Sequence, residues 1–138
     1  MKIEFSKEDV KKIIYDSFCN GGLIELANCS VQVDWDAEPN HSNYIEAKKR
    51  CQEKMADGSI CFEDVMIEIL DSGKSIVFTD YEAEETVELN LDSATTFINN
   101  NSSSYSELLL SIFNEDDYDA YSCWDALQLS MYGDIIFS

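Results

Sequence analysis

Lysine and arginine are missing from residues 75–138 of this 138-residue chain. All nine basic residues stand before that point: Lys2, Lys7, Lys11, Lys12, Lys48, Lys49, Arg50, Lys54 and Lys74. Residues 1–74 hold 15 acids and carry a net −6; residues 75–138 hold 13 acids and carry −13. A net charge of −19 repels nucleic acid and anionic membrane, so direct binding to either is not expected. No apolar run approaches the roughly 18–20 residues that cross a bilayer. The opening "MKIEFSKEDVKK" has no apolar stretch of signal-peptide type, which points to the cytoplasm.

Catalytic vocabulary is equally thin. His41 is the one histidine, and "EPNHSNY" reads as an exposed loop, so no base is placed beside a serine or cysteine nucleophile. There is no GxSxG, HExxH, phosphate-binding loop or dinucleotide fingerprint. Gly21-Gly22 follows a helical pattern and reads as a C-cap, the wrong order for a phosphate cradle. The five cysteines (Cys19, Cys29, Cys51, Cys61 and Cys123) are odd in number and show no CxxC pair, so free thiols are expected and a zinc site is not. "DWDAEPN" only begins a calcium-loop pattern, and Glu84-Glu85 and Asp116-Asp117 read as solvated acids. No catalytic residue, metal ligand or cofactor is assigned, and the chain reads as a non-enzyme.

What is present is enough for a core. The chain is 45% hydrophobic and 12% aromatic, unlike a disordered segment of comparable charge. Its length suits a single domain, residues 1–138. "SKEDVKKIIYDSFCNGG" predicts a helix capped by Ser6, with Val10, Ile13, Ile14 and Phe18 on one face. "CSVQVDW" alternates Val31, Val33 and Trp35 as a strand does, and Pro39-Asn40 marks a loop. "NYIEAKKRCQEKMADG" predicts a second helix ending at Gly58, with Glu46 facing Arg50 one turn on. "CFEDVMIEILDSG" predicts a third, with Phe62, Val65, Met66, Ile69 and Leu70 apolar. "KSIVFTDYEAEETVELNL" reads as a hairpin with an acidic connection from Tyr81 to Glu85.

A short helix capped by Asp92 or Ser93 and reaching Ile98 is expected next, then a flexible "NNNSSS" at 99–104. "SYSELLLSIF" predicts a helix, and a last one runs from about Asp119 to Met131, with Trp124, Leu127, Gln128 and Met131 at helical spacing. Gly133 breaks it, and "DIIF" reads as a terminal strand. Helices mixed with few strands and one local hairpin give an α+β fold: several helices packed on a small, largely antiparallel sheet.

The C-terminal "DALQLSMYGDIIFS" resembles the end of small acidic phage and prophage accessory proteins of uncharacterised function. Their tails run acid, apolar helix with Leu-Gln, then aromatic-Gly-acid-Ile-Val-aromatic-Gly. Asp125, Leu127, Gln128, Tyr132, Gly133, Asp134, Ile135, Ile136 and Phe137 match, while Ser138 departs from the final glycine. "EDVKKIIYDSFCNGG" and "CFEDVMIEILDSGKSIVFTDYE" are similar to their opening helix and to their middle helix and strand. The resemblance implies a small accessory protein of a mobile element that acts by binding a host factor.

Three readings follow. In the first, the protein inhibits a host defence nuclease, a CRISPR effector or a restriction enzyme, by presenting an acidic, nucleic-acid-like surface to its basic channel. The candidate contacts are Tyr81, Glu82, Glu84, Glu85 and Glu88 on the hairpin, and Glu115, Asp116, Asp117, Tyr118, Asp119 and Tyr121 around the start of the last helix. In the second it is a sponge for a small-molecule defence signal, with Gly21-Gly22, Trp35 and Trp124 lining a pocket and Lys48, Lys49 and Arg50 as the available cations. In the third it is a structural or regulatory module whose acids serve solubility and are spread over all faces.

Overall fold

The computed structural model describes residues 3–55 and 58–138. Seven helices and three strands follow the order α1 (Lys7–Cys19), α2 (Gly22–Asn28), β1 (Val31–Val33), α3 (Asn40–Lys54), α4 (Phe62–Asp71), β2 (Ile76–Asp80), β3 (Glu85–Leu89), α5 (Leu91–Asn101), α6 (Ser106–Phe113) and α7 (Ala120–Tyr132). The strands form one antiparallel sheet in the order β1-β2-β3. The helices pack on this sheet in one compact α+β arrangement.

Alternation along the strands gives the sheet two unlike faces. Val31, Ile76, Phe78 and Leu89 are buried, whereas Gln32, Thr86 and Glu88 are exposed. One face therefore carries the core and the other meets solvent, as antiparallel sheets allow. The core runs from the sheet through Val10, Ile13 and Ile14 of α1 and Val65, Met66, Ile69 and Leu70 of α4 to α7. In α7 every residue from Ala126 to Met131 is buried, so this helix is the axle of the molecule. Such a helix has little amphipathic pattern because neighbours surround it.

Local chemistry explains the helix starts. Ser6 accepts from Asp9 N–H, and the Asp9 carboxylate accepts from Ser6 N–H, closing a capping box on α1. The Tyr15 hydroxyl donates to Asp64 Oδ1 at 2.8 Å and ties α1 to α4. Asp119 Oδ1 accepts from Ser122 N–H at 2.9 Å and caps α7.

Several expectations need correction. Gly21-Gly22 does end α1, but Gly22 also opens the seven-residue α2, which the sequence reading missed. A Cβ at Gly22 would lie 2.6 Å from Ser17 O and 2.7 Å from Leu127 Cδ1, so glycine is there to let α2 lie against α7. β1 stops at Val33, and Trp35 falls in the turn beyond it. Asn40 belongs to α3 instead of a loop, and α3 ends at Lys54 before Gly58 is reached. Arg50 and Glu46 do not pair with each other: Arg50 Nε meets Glu68 at 3.0 Å, and Glu46 meets Lys74 at 2.9 Å. Contacts between elements outbid the one-turn pair.

Asn90, not Asp92 or Ser93, caps α5, and α5 runs through the three asparagines to Asn101. The asparagines of the "NNNSSS" tract are accordingly helical, and only residues 102–104 lie in the connection to α6. The C-terminal "DIIF" is not a strand. Gln128 Oε1 accepts from Ile136 N–H at 2.9 Å and from Phe137 N–H at 2.7 Å, so one buried amide does what a strand neighbour would do.

Candidate acidic interface

The hairpin acids sit on an edge. Glu85 and Glu88 belong to β3, and the four-residue connection 81–84 carries Tyr81, Glu82 and Glu84, all exposed. Asp80 Oδ1 accepts from Glu82 N–H at 3.1 Å and from Ala83 N–H at 2.9 Å, which shapes the tip. Tyr81 N–H donates to Ser30 O at 2.9 Å, while its ring stays 55% exposed.

The second group sits in the connection from α6 to α7. Glu115, Asp116, Asp117 and Asp119 are exposed there. Asp119 is committed to capping: hydrogen bonds from Ser122 hold its carboxyl below the usual carboxylate range. The Tyr118 hydroxyl accepts from Asn20 Nδ2 at 3.1 Å and the side chain is half-buried, so Tyr118 braces the loop against α1. Burial, with Asp16 and Glu115 nearby, pushes its hydroxyl pKa up. Tyr121 is 61% exposed beside Trp124, ring centres 6.3 Å apart.

These two groups do not share one place. Gly21 lies against Ala120 at the start of α7 (a Cβ there would be 2.8 Å from Ala120 Cβ), next to the α6–α7 acids. Asp80 and Glu85 bear instead on Tyr132 at its end, where burial and their charge raise the tyrosine pKa. Thirteen residues at 1.5 Å each separate the two ends by about 20 Å. The candidate acids thus form two groups, one at either end of the central helix.

Cations are spent elsewhere. Eight of the nine basic residues are among the described residues, and six of them form ion pairs. Lys11 bridges Glu8 and Asp71, Arg50 and Lys54 converge on Glu68, Lys74 meets Glu46, Lys12 meets Asp16, and Lys7 meets Asp92. Among the described residues, Glu115 alone of the eight candidate acids has a cation near, Lys12 at 4.0 Å. Spread over 7380 Å² of surface, −19 amounts to about one net charge per 390 Å². Duplex DNA, at one phosphate per ~1.7 Å of axis, is some three to four times denser. The average surface is therefore well below duplex DNA in charge density.

Backbone conformation adds a second mark. Among the described residues, four other than glycine have positive φ: Ser30 (65°), Glu84 (56°), Glu115 (55°) and Asp117 (49°). Three of the four are candidate acids. Left-handed backbone favours glycine and costs other L-residues roughly 1–2 kcal/mol. Aspartate is among the residues that tolerate this conformation, so Glu84 and Glu115 are the acids that stand against the local preference.

Other chemistry is accounted for by the fold. His41 is exposed in the first turn of α3, and its Nδ1 lies 3.3 Å from Trp35 O. Burial pushes the thiols of Cys19, Cys29 and Cys51 up, and that of Cys123 to about 11, so none of these four is an activated nucleophile. No cluster of three or more His, Cys, Asp or Glu among the described residues is arranged to hold a metal ion. No described helix is long and apolar enough to cross a membrane.

An apolar pocket of about 230 Å³ forms between α2, β1 and α4. Trp35, Phe62, Met66 and Phe78 line it, with Gln32 its one polar side chain. Of the residues proposed for a ligand pocket, only Trp35 is there. Trp124 is in the core, Gly21-Gly22 lies against α7, and Arg50 is paired with Glu68. Lys48 and Lys49 are exposed on α3 along a separate shallow groove with Tyr44, Ile45 and Gln52. The sequence signal for this pocket was the period-two pattern of β1, which was read for the fold and not for a cavity. Comparison with family models, curated proteins and solved structures finds no match.

Proposed function

We propose that this protein is a non-catalytic binding protein that docks its acidic regions on the basic nucleic-acid channel of a host defence nuclease and blocks it. The observation that carries this reading is the segregation of charge. Six described cations pair with acids, mostly on α1, α3 and α4, while seven of the eight candidate acids have no counter-ion among the described residues. Uncompensated exposed acids steer a basic partner in and release its condensed anions on contact. Glu84 and Glu115, held in left-handed backbone, support the same reading, because solubility alone would be served by glutamates at unstrained positions. The resemblance to phage accessory proteins points to CRISPR effectors and restriction enzymes as the partner class.

The test is DNA cleavage by a panel of such nucleases with the protein added at increasing salt. Inhibition that fades as salt rises, and that is lost in the quadruple variant Glu82→Gln, Glu84→Gln, Glu85→Gln, Glu88→Gln, supports the reading. Inhibition of none of them, or equal inhibition by the variant, overturns it.

The apolar pocket favours a second reading, a small-ligand binder. Its lining has no cation, so an anionic nucleotide signal is a poor fit and a neutral aromatic group a good one. A raised melting temperature with indole, abolished by Met66→Trp, would favour it; no shift would remove it.

A further inference from the structure

Resting on the acidic-surface reading, we infer that β3 is a docking edge that takes an extended Lys/Arg-bearing segment of the partner protein as a fourth strand. The hydrogen-bond phase of the sheet carries the argument. Tyr81 N–H donates to Ser30 O, so the odd-numbered residues at this end of β2 turn their main-chain groups toward β1. Val77 follows the same phase: β1 has ended by then, and the Asn40 side chain stands in for it, accepting from Val77 N–H at 2.9 Å and donating to Val77 O at 2.8 Å. The even-numbered residues Ile76, Phe78 and Asp80 therefore face β3, where they meet Leu89, Val87 and Glu85. By alternation, Thr86 and Glu88 direct their N–H and C=O groups away from the sheet. Both residues are exposed, and no hydrogen bond among the described residues uses those outward groups.

The two edges are treated differently. Each edge strand has a helix beside it, α2 on β1 and α7 on β3, but β1 is only three residues long and is continued by a side chain that consumes the next main-chain pair. β3 offers five residues, about 17 Å of strand, with no proline, no lysine and no bulge. Edges are normally blunted by such devices, because unpaired main chain recruits other chains. Here the exposed side chains of the edge, Glu84, Glu85 and Glu88, guard it with charge. Two copies pairing β3 to β3 would set Glu84, Glu85 and Glu88 of each beside those of the other, and like charges across a ladder destabilise it. The same side chains attract Lys or Arg on an incoming strand. The acids thus reject a second copy and select a basic one, while main-chain hydrogen bonds supply the affinity.

The test uses capped synthetic peptides and the whole chain labelled with ¹⁵N. The probe is Lys-Val-Lys-Val-Lys-Val. Two derivatives carry N-methyl groups on the lysines or on the valines, so that each blocks one edge of the peptide strand. The expected result is that the parent peptide moves the amide signals of Thr86 and Glu88, weakens between about 50 and 200 mM salt, and loses about tenfold in affinity or more in one N-methylated form only. Thr86→Pro removes an outward N–H that the fold does not use, so the protein should stay folded and bind about tenfold more weakly. Glu88→Lys should abolish binding. If both N-methylated peptides bind as the parent does, strand addition is overturned while the acidic-surface reading stands. If the parent peptide does not bind, or shifts signals away from β3, strand addition is overturned, and the nuclease assay then decides the acidic-surface reading independently.

Discussion

Residues 99–104, "NNNSSS", and residues 114–119, "NEDDYD", are polar hexapeptides; in the sequence the first reads as a flexible connection and the second as the acidic lead into the last helix. In the folded molecule they have opposite roles. Asn99 Oδ1 accepts from Phe5 N–H at 2.7 Å, and its Nδ2 donates to Phe5 O at 2.9 Å. Asn101 Nδ2 donates to Gly133 O at 3.1 Å, and the Ser102 hydroxyl donates to Ile3 O at 2.7 Å. This tract ties both ends of the chain to α5. The acidic tract is held mainly by its main chain, through Asn114, Glu115 and Asp116 N–H on the end of α6, and by Glu115 near Lys12, Tyr118 on Asn20 and Asp119 on α7. The difference is charge. An amide or hydroxyl can be buried once its hydrogen bonds are met, whereas a carboxylate without a cation stays in water.

The comparison can be broken most severely at Asn99. Asn99→Ala leaves the main chain of buried Phe5 without both partners, and should cost about 2–3 kcal/mol in urea unfolding. A change within about 0.5 kcal/mol would show that the tract is dispensable. Ser102→Ala removes one hydroxyl bond to Ile3 O, and about 1 kcal/mol is expected by the same measurement.

On the acidic side, Asp119→Ala should lower the melting temperature by less than Asn99→Ala does, and its effect should depend on pH. The folded carboxyl is held below its ordinary value by Ser122, so its stabilisation is present above the unfolded pKa and is lost as pH falls through the lowered folded one. The melting curves of variant and parent should therefore converge in strong acid. Asp116→Asn with Asp117→Asn should change stability least, within about 0.5 kcal/mol per site, while weakening salt-sensitive binding to a basic partner. A larger loss of stability would mean that the acidic tract is structural after all.

A contrary pH effect sharpens the picture within α7. Burial, with Asp119 nearby, raises the pKa of Asp125. At neutral pH its charge opposes folding, so Asp125→Asn should raise the melting temperature at pH 7, and the gain should vanish once acid protonates the parent in both states.

How much of this was legible depends on the range of the interaction. α1 was readable from Ser6 to Phe18 because its cap and apolar face are encoded within two turns. α4 and the β2–β3 hairpin were readable for the same reason, as was the α+β class. α2 was missed because seven residues give too little periodicity to see, and because the reason for Gly22 is a residue a hundred positions away, Leu127. The terminal "DIIF" was read as a strand because its pattern is strand-like; its hydrogen-bond partner proved to be the side chain of Gln128. Of the candidate site, the acids and their lack of nearby bases were visible. Their division between two ends of α7 was not.

The sequence by itself determined the −19 charge, the exclusion of cations from residues 75–138, the local helices and the hairpin, since each depends on composition or on neighbours within a few residues. Tertiary structure alone decided that six cations are neutralised away from the hairpin, that an asparagine side chain completes one sheet edge while the other stays open, and that one polar tract is an anchor and the other a surface. These outcomes depend on which distant groups can satisfy a buried donor, acceptor or charge, and only the folded arrangement brings those groups within reach.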